Sequence, residues 1–193
     1  MNFFGNLYER VMSWAEHRRA TFYLGLLSFA ESSFFPIPPD VMLAPMALRH
    51  PHRALYFAFL TTLFSVLGGI AGYFIGFFAL EFAEQLLQDK GYWLVYQQAR
   101  VWFDEWGVWV VLMAGFSPIP YKLFTITAGA MGQPLIAFIL ASVLGRGSRF
   151  FLLALLLKFF GRKIEQHVLR YIEYLGWLLV GLILSTIIWV SLR

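Results

Sequence analysis

The 193-residue chain is 60% hydrophobic and only 13% charged, about half the charged fraction of an ordinary soluble domain, which excludes the usual soluble globular classes and points to one membrane-embedded domain. Fifteen basic against eleven acidic residues leave a net charge of +4, an excess that suits cytoplasmic loops rather than nucleic-acid binding. The sequence has no cysteine, so neither a disulfide framework nor a thiolate metal site is available.

The first 21 residues lack the apolar core and cleavage site of a signal peptide. Phe3, Phe4, Leu7, Val11, Met12 and Ala15 instead recur at helical spacing, with Asn6, Glu9, Arg10, Ser13 and His17 opposite. That predicts an amphipathic helix over 1–21, lying in the membrane interface or on the protein's own surface. Apolar stretches follow at 22–48, 54–80, 108–132, 135–157 and 172–192. The second, fourth and fifth are long enough to span, since about 20 residues cover a roughly 30 Å hydrocarbon core. The first and third are each interrupted by Pro-x-Pro: Pro36, Pro38 and Pro39 in FFPIPPD, Pro118 and Pro120 in FSPIPYK. Proline removes a backbone donor and pushes the residue before it out of the helical region, so these clusters end a helix rather than bend it. Segment 81–107, rich in tryptophan and mixed in charge, reads as an interfacial linker.

The interruption recurs with a register. Asp40 of the first break stands 82 residues before Lys122 of the second. Downstream, SVLGGIAGYFIGFFALEF at 65–82 aligns with SVLGRGSRFFLLALLLKF at 142–159. Two matches in one order predict a duplicated unit over 22–80 and 108–160, each a broken hairpin followed by a spanning helix. Broken helices at corresponding places in two halves point to a transporter's binding site. The expected fold is an all-α membrane protein with two inverted repeats. Each repeat is a re-entrant hairpin plus a transmembrane helix, joined by interfacial helices and closed by a C-terminal transmembrane helix at 172–192. A broken tip is tolerated at membrane depth only where protein or water surrounds it. Loop charge does not choose between re-entry and full spanning. Nine Lys/Arg fall on one side and three on the other in either case. Re-entry, favoured by the central prolines, puts the N-terminus of a multi-pass protein in the cytoplasm.

Five charges fall inside apolar stretches: Glu31, Asp40, Lys122, Arg146 and Arg149. Each costs roughly 2.5–3.5 kcal/mol at the centre of a bilayer, so they must pair, face water or bind something. Arg146 and Arg149 share a helix face, and two guanidiniums there suit a phosphate, with Lys122 as a third cation. Glu31 and Asp40 would neutralise those cations when the site is empty, and a buried carboxyl can carry a proton. Internal ion pairs holding the halves together are the alternative. Gly68, Gly72 and Gly76 form a smooth face for close helix packing, with a lipid path as the alternative. No His-Glu-x-x-His, Gly-x-Ser-x-Gly or Walker-type loop occurs. No enzymatic role, cofactor or metal is expected, and His50 and His52 read as a polar turn. The expected partners are membrane lipids, and a homo-oligomer is compatible with this reading.

Glu31, the Pro-x-Pro with Asp40, the glycine-rich helix and FSPIPYKLFTITAGAMG followed by Arg146 and Arg149 resemble the DedA family, also called the SNARE-associated or VTT-domain family. The resemblance covers about residues 25–160. It implies two facing re-entrant hairpins and movement of lipid, undecaprenyl phosphate or phospholipid, by flippases or scramblases, some coupled to protons. The family's functional acids map onto Glu31 and Asp40. Many members carry two arginines flanking the second hairpin's proline. Here Gly115 and Tyr121 stand near those places, and Arg146 and Arg149 are left to supply that charge. The competing readings are a proton-coupled small-ion transporter and an assembly protein with internal ion pairs only.

Overall fold

The computed structural model describes residues 12–17, 19–33, 35, 37–89, 93–117, 121–161 and 163. Among these the chain is helical, with no strand. Six helices carry the fold: α1 (Ala20–Ser33), α2 (Asp40–Arg49), α3 (Ala54–Asp89), α4 (Trp93–Phe116), α5 (Tyr121–Ala130) and α6 (Leu135–Gly161). Two of them, over Pro51–Leu80 and Leu135–Gly161, are long and apolar enough to cross a membrane. The predicted C-terminal helix at 172–192 and the tip prolines Pro36, Pro118 and Pro120 lie outside the described residues.

The proline clusters end helices as their chemistry requires. α1 stops at Ser33, and α2 starts at Asp40 behind Pro39, whose φ of −67° already suits a helix. Asp40 in the first turn and Arg49 in the last complement the helix dipole. At the far end of α5, Gly132 adopts φ 71°. The Gln133 amide bonds the Ala128 carbonyl at 3.0 Å and the Gly132 amide bonds Gly129 at 3.1 Å, a glycine-terminated Schellman ending.

Both broken segments reverse direction. The Glu16 and Arg49 side chains, at the outer ends of α1 and α2, meet at 3.4 Å. Laid end to end, the 14 and 10 residues of those helices would separate them by roughly 36 Å. Likewise Gly132, beyond α5, lies beside the Arg100 guanidinium near the start of α4. The arms α1, α2 and α5 have 14, 10 and 10 residues. At 1.5 Å per residue none of them covers a roughly 30 Å hydrocarbon core.

Glycines set how the helices meet. A side chain on Gly68 would overlap the Phe29 carbonyl of α1, and one on Gly72 or Gly76 would strike Thr125 or the Ile126 carbonyl of α5. Gly129 of α5 meets the Tyr73 carbonyl reciprocally, and Gly145 of α6 meets Leu112 of α4. Thus α3 stands between α1 and α5 at backbone contact, the close approach that small residues permit in lipid. Gly129→Val is expected to cost about 1–3 kcal/mol by overpacking against a backbone that cannot yield. A lowered melting temperature in detergent checks this.

α3 and α6 run antiparallel, with Tyr73 beside Phe138 and Ser65 beside Arg146. One apolar cluster gathers Leu24, Leu43, Met46, Phe57 and Phe150, and a second gathers Tyr73, Val111, Tyr121 and Phe138. The buried charges lie in the layer between them. At the N-terminus, 12–15 form a helical turn whose Met12 and Ala15 are buried while Trp14 is exposed; Ala15 belongs to the first cluster. This part of the predicted amphipathic helix therefore packs on the protein, and 1–11 and 18 lie outside the described residues. The expected linker 81–107 is not a separate element. Residues 81–89 prolong α3, and 93–107 are the first turns of α4. Between Gly76 and Gly107 the sequence holds no proline and one glycine, Gly91, so little interrupts the helices outside 90–92.

Candidate functional site

Glu31 lies in the last turn of α1, one residue before Ser32. Ser28 and Ser32 are four apart on α1, and Thr61 and Ser65 four apart on α3, so each pair shares one face of its helix. The Ser28 hydroxyl donates to the Thr61 carbonyl at 2.6 Å, and the Ser32 and Ser65 hydroxyls bond each other at 2.7 Å. Arg146 enters this seam from α6. Its Nη2 pairs with Glu31 Oε2, its Nε donates to Ser65 Oγ at 2.6 Å, and Nη2 also reaches Ser32 Oγ at 3.3 Å. The guanidinium lies 4.9 Å from the Tyr121 ring centre and 4.7 Å from that of Phe150. Tyr121 is fixed by a 2.5 Å bond to Ser142.

Arg146 is 1% exposed and Glu31 8%. A cation so enclosed has no face left for a phosphate. The structure thus corrects the expected grouping of Lys122, Arg146 and Arg149 as the three cations of one phosphate site. Arg146 is occupied by Glu31, two serines and two aromatic rings, and it ties α6 to α1, α3 and α5.

Arg149, one turn further along α6, is placed differently. Its Nη2 pairs with Asp40 Oδ2 at the start of α2, and its Nη1 donates to the Ser117 carbonyl at 2.7 Å, just past the end of α4. One guanidinium therefore joins both breaks. It sits at the carbonyl end of one helix and Asp40 at the amide end of another, each where the dipole favours its sign. The pair is partly open: the two side chains are 21% and 23% exposed. Asp40 Oδ1 is buried without a hydrogen-bond partner. Asp40 thus pairs with Arg149, and Lys122 stands half-buried in the first turn of α5.

In the sequence alignment of 65–82 with 142–159, Gly69 and Gly72 stand opposite Arg146 and Arg149. Gly69 and Gly72 face Tyr121 and Thr125 of α5, where a longer side chain would push that arm away. At the aligned positions on α6 the chain carries Arg146 and Arg149, which reach Glu31 and Asp40. The residues missed by sequence reasoning are Ser32, Ser65, Ser117, Tyr121 and Ser142. For Ser32 and Ser65 a signal existed, the four-residue hydroxyl spacing within apolar helices. Ser117 enters through its carbonyl, which no side-chain pattern reports. Among the described residues no group of three or more His, Asp or Glu is placed to hold a metal ion.

A family model described as the VTT domain matches residues 35–159, which spans α2 to α6 and both arginines. An uncharacterized protein of Haemophilus influenzae is 46% identical over 94% of this chain and 95% of its own length. An uncharacterized protein of Histophilus somni is 44% identical over the whole of both chains. No solved structure matches the chain.

Proposed function

The chain belongs to the VTT-domain, or DedA, family of membrane proteins, and we propose that it moves a phosphate-bearing lipid, a phospholipid or undecaprenyl phosphate, across the bacterial inner membrane. Membership of the family points to membrane transport in general. The lipid reading rests on one observation: Arg149 is held, partly exposed, between Asp40 and the Ser117 carbonyl where both broken segments end. A phosphate offers a guanidinium the same paired oxygens as a carboxylate. It can take Asp40's place on Arg149, and Lys122 adds a second cation from the same break.

Asp40 then acts as the gate. A proton passed to Asp40 neutralises the carboxylate and frees Arg149 for the incoming anion. Loss of that proton restores the pair and expels the phosphate. This would couple lipid movement to protons. Glu31, paired with the enclosed Arg146, is itself only 8% exposed, and that enclosure favours a structural part for that pair alone.

In this reading the two reversals are re-entrant hairpins. The meeting of Glu16 with Arg49 and of Gly132 with Arg100 supports it. The antiparallel α3 and α6, each lying beside the first arm of its own hairpin, support an inverted repeat. Cysteines replacing Glu16 and His50 are expected to react with an impermeant maleimide only from the cytoplasm, and one replacing Asp89 only from outside. Reaction of positions 16 and 50 from opposite sides would mean that the first broken segment spans.

Function is tested by reconstitution into liposomes with fluorescent phospholipids. Wild-type protein is expected to move them across the bilayer, and Asp40→Asn protein is not. Proton-coupled uptake of a small ion, without lipid movement, would favour the small-ion transporter instead.

A further inference from the structure

α2 and α6 lie side by side along a seam. At its inner end is the Asp40–Arg149 pair. At its outer end Leu48 of α2 packs against Gly161 of α6, and there a cavity of about 520 Å³ opens. Its walls include Leu48, Arg49, Pro51, Leu157, Lys158 and Phe159. Among the described residues, two cations therefore face this space beside Leu48, Pro51, Leu157 and Phe159.

The charges are disposed for an anion. Lys158 has no carboxylate within ion-pair distance among the described residues, and its Nζ lies 5.8 Å from the Phe159 ring centre. Arg49 is paired with Glu16 at 3.4 Å through exposed side chains, a contact worth little in water and easily shared. Arg53 lies two residues past Pro51, over the Tyr56 and Phe57 rings. The spacing fits a bilayer. From Asp40 to Arg49, and from Arg149 to Lys158, is nine residues, roughly 14 Å of helix. That is close to half of a roughly 30 Å hydrocarbon core. With the inner pair near mid-membrane, the cavity falls at the level of the headgroups.

We propose that this cavity binds the phosphate of an anionic phospholipid headgroup, with Lys158 and Arg49 as its cations and Leu48, Leu157 and Phe159 against the first carbons of the chains. Basic pockets between helices at the membrane surface take such headgroups. The site is distinct from the inner pair and does not depend on the transport reading.

The test is equilibrium binding to the purified full-length chain in detergent, with phosphatidylglycerol as probe and phosphatidylcholine as the zwitterionic control. Wild type is expected to bind phosphatidylglycerol more tightly than phosphatidylcholine. Lys158→Gln is expected to weaken phosphatidylglycerol about fivefold, the effect of one surface charge, and Lys158→Arg to retain it. Equal affinity in wild type and Lys158→Gln would overturn the proposal. So would equal affinity of the wild type for phosphatidylglycerol and phosphatidylcholine. Complete displacement by millimolar inorganic phosphate would assign the cavity to a free anion and overturn the lipid. Because no transport is read, an inactive transporter would leave each of these results interpretable.

Discussion

Arg146→Met is expected to remove most of the folded protein from the membrane. The substitution strands the Glu31 carboxylate in a layer where it is 8% exposed, at a cost of about 3–5 kcal/mol. That is a large share of the stability of a typical protein. Glu31→Met alone strands the guanidinium and should cost as much. Combined, the two leave no charge unpaired, and the Ser32–Ser65 bond remains. The double variant is therefore expected to recover most of the lost abundance, since apolar replacement of a whole buried pair is often neutral. Quantitative blotting of membranes and melting in detergent check this. A double variant as depleted as the singles would mean that the pair does more than neutralise itself.

The Asp40–Arg149 pair should behave in the opposite way. Asp40→Asn and Arg149→Ala are expected to leave abundance near wild type, because their partly exposed side chains can be reached by water. Lipid movement should fall roughly 10–100-fold in Arg149→Ala, the worth of one charge-assisted contact. Arg149→Lys keeps the charge without the two-pronged fit and should lie between. Initial rates in liposomes of matched protein content check the order. Rates unchanged by Arg149→Ala would remove Arg149 from the transport path.

Much of this arrangement could be read from residue types. Pro36, Pro38 and Pro39 announce a break because three prolines in four residues remove three donors. Pro45, alone inside α2, does not break it. The spacing of Gly68, Gly72 and Gly76 announces a packing face, and charges in apolar stretches announce a buried polar layer. The pairing within that layer was not legible. Arg146 and Arg149 are three residues apart on one face, and periodicity gives them one role. They separate because Glu31 closes α1 while Asp40 opens α2, so the two acids meet α6 at different heights. That depends on how far each arm enters, which no local pattern encodes. Segment 81–107 misled for a related reason. Tryptophans and mixed charge suit an interfacial helix and the outer turns of a long one equally well.

The glycine contacts have a mechanical consequence. Gly76 sits under the Ile126 carbonyl and Gly129 under that of Tyr73, so α3 and α5 mesh like teeth in both directions. A slide of one residue would drive Phe77 or Ala128 into a gap that only hydrogen fits. α1 is keyed to α3 in the same manner through Gly68. α2 carries no glycine, and at its outer end it touches α6 through the Leu48 side chain, which can change rotamer. The arm bearing Asp40 is thus the unkeyed one. Any stroke that parts the breaks has α2 as its lever and the α1–α3–α5 assembly as its frame.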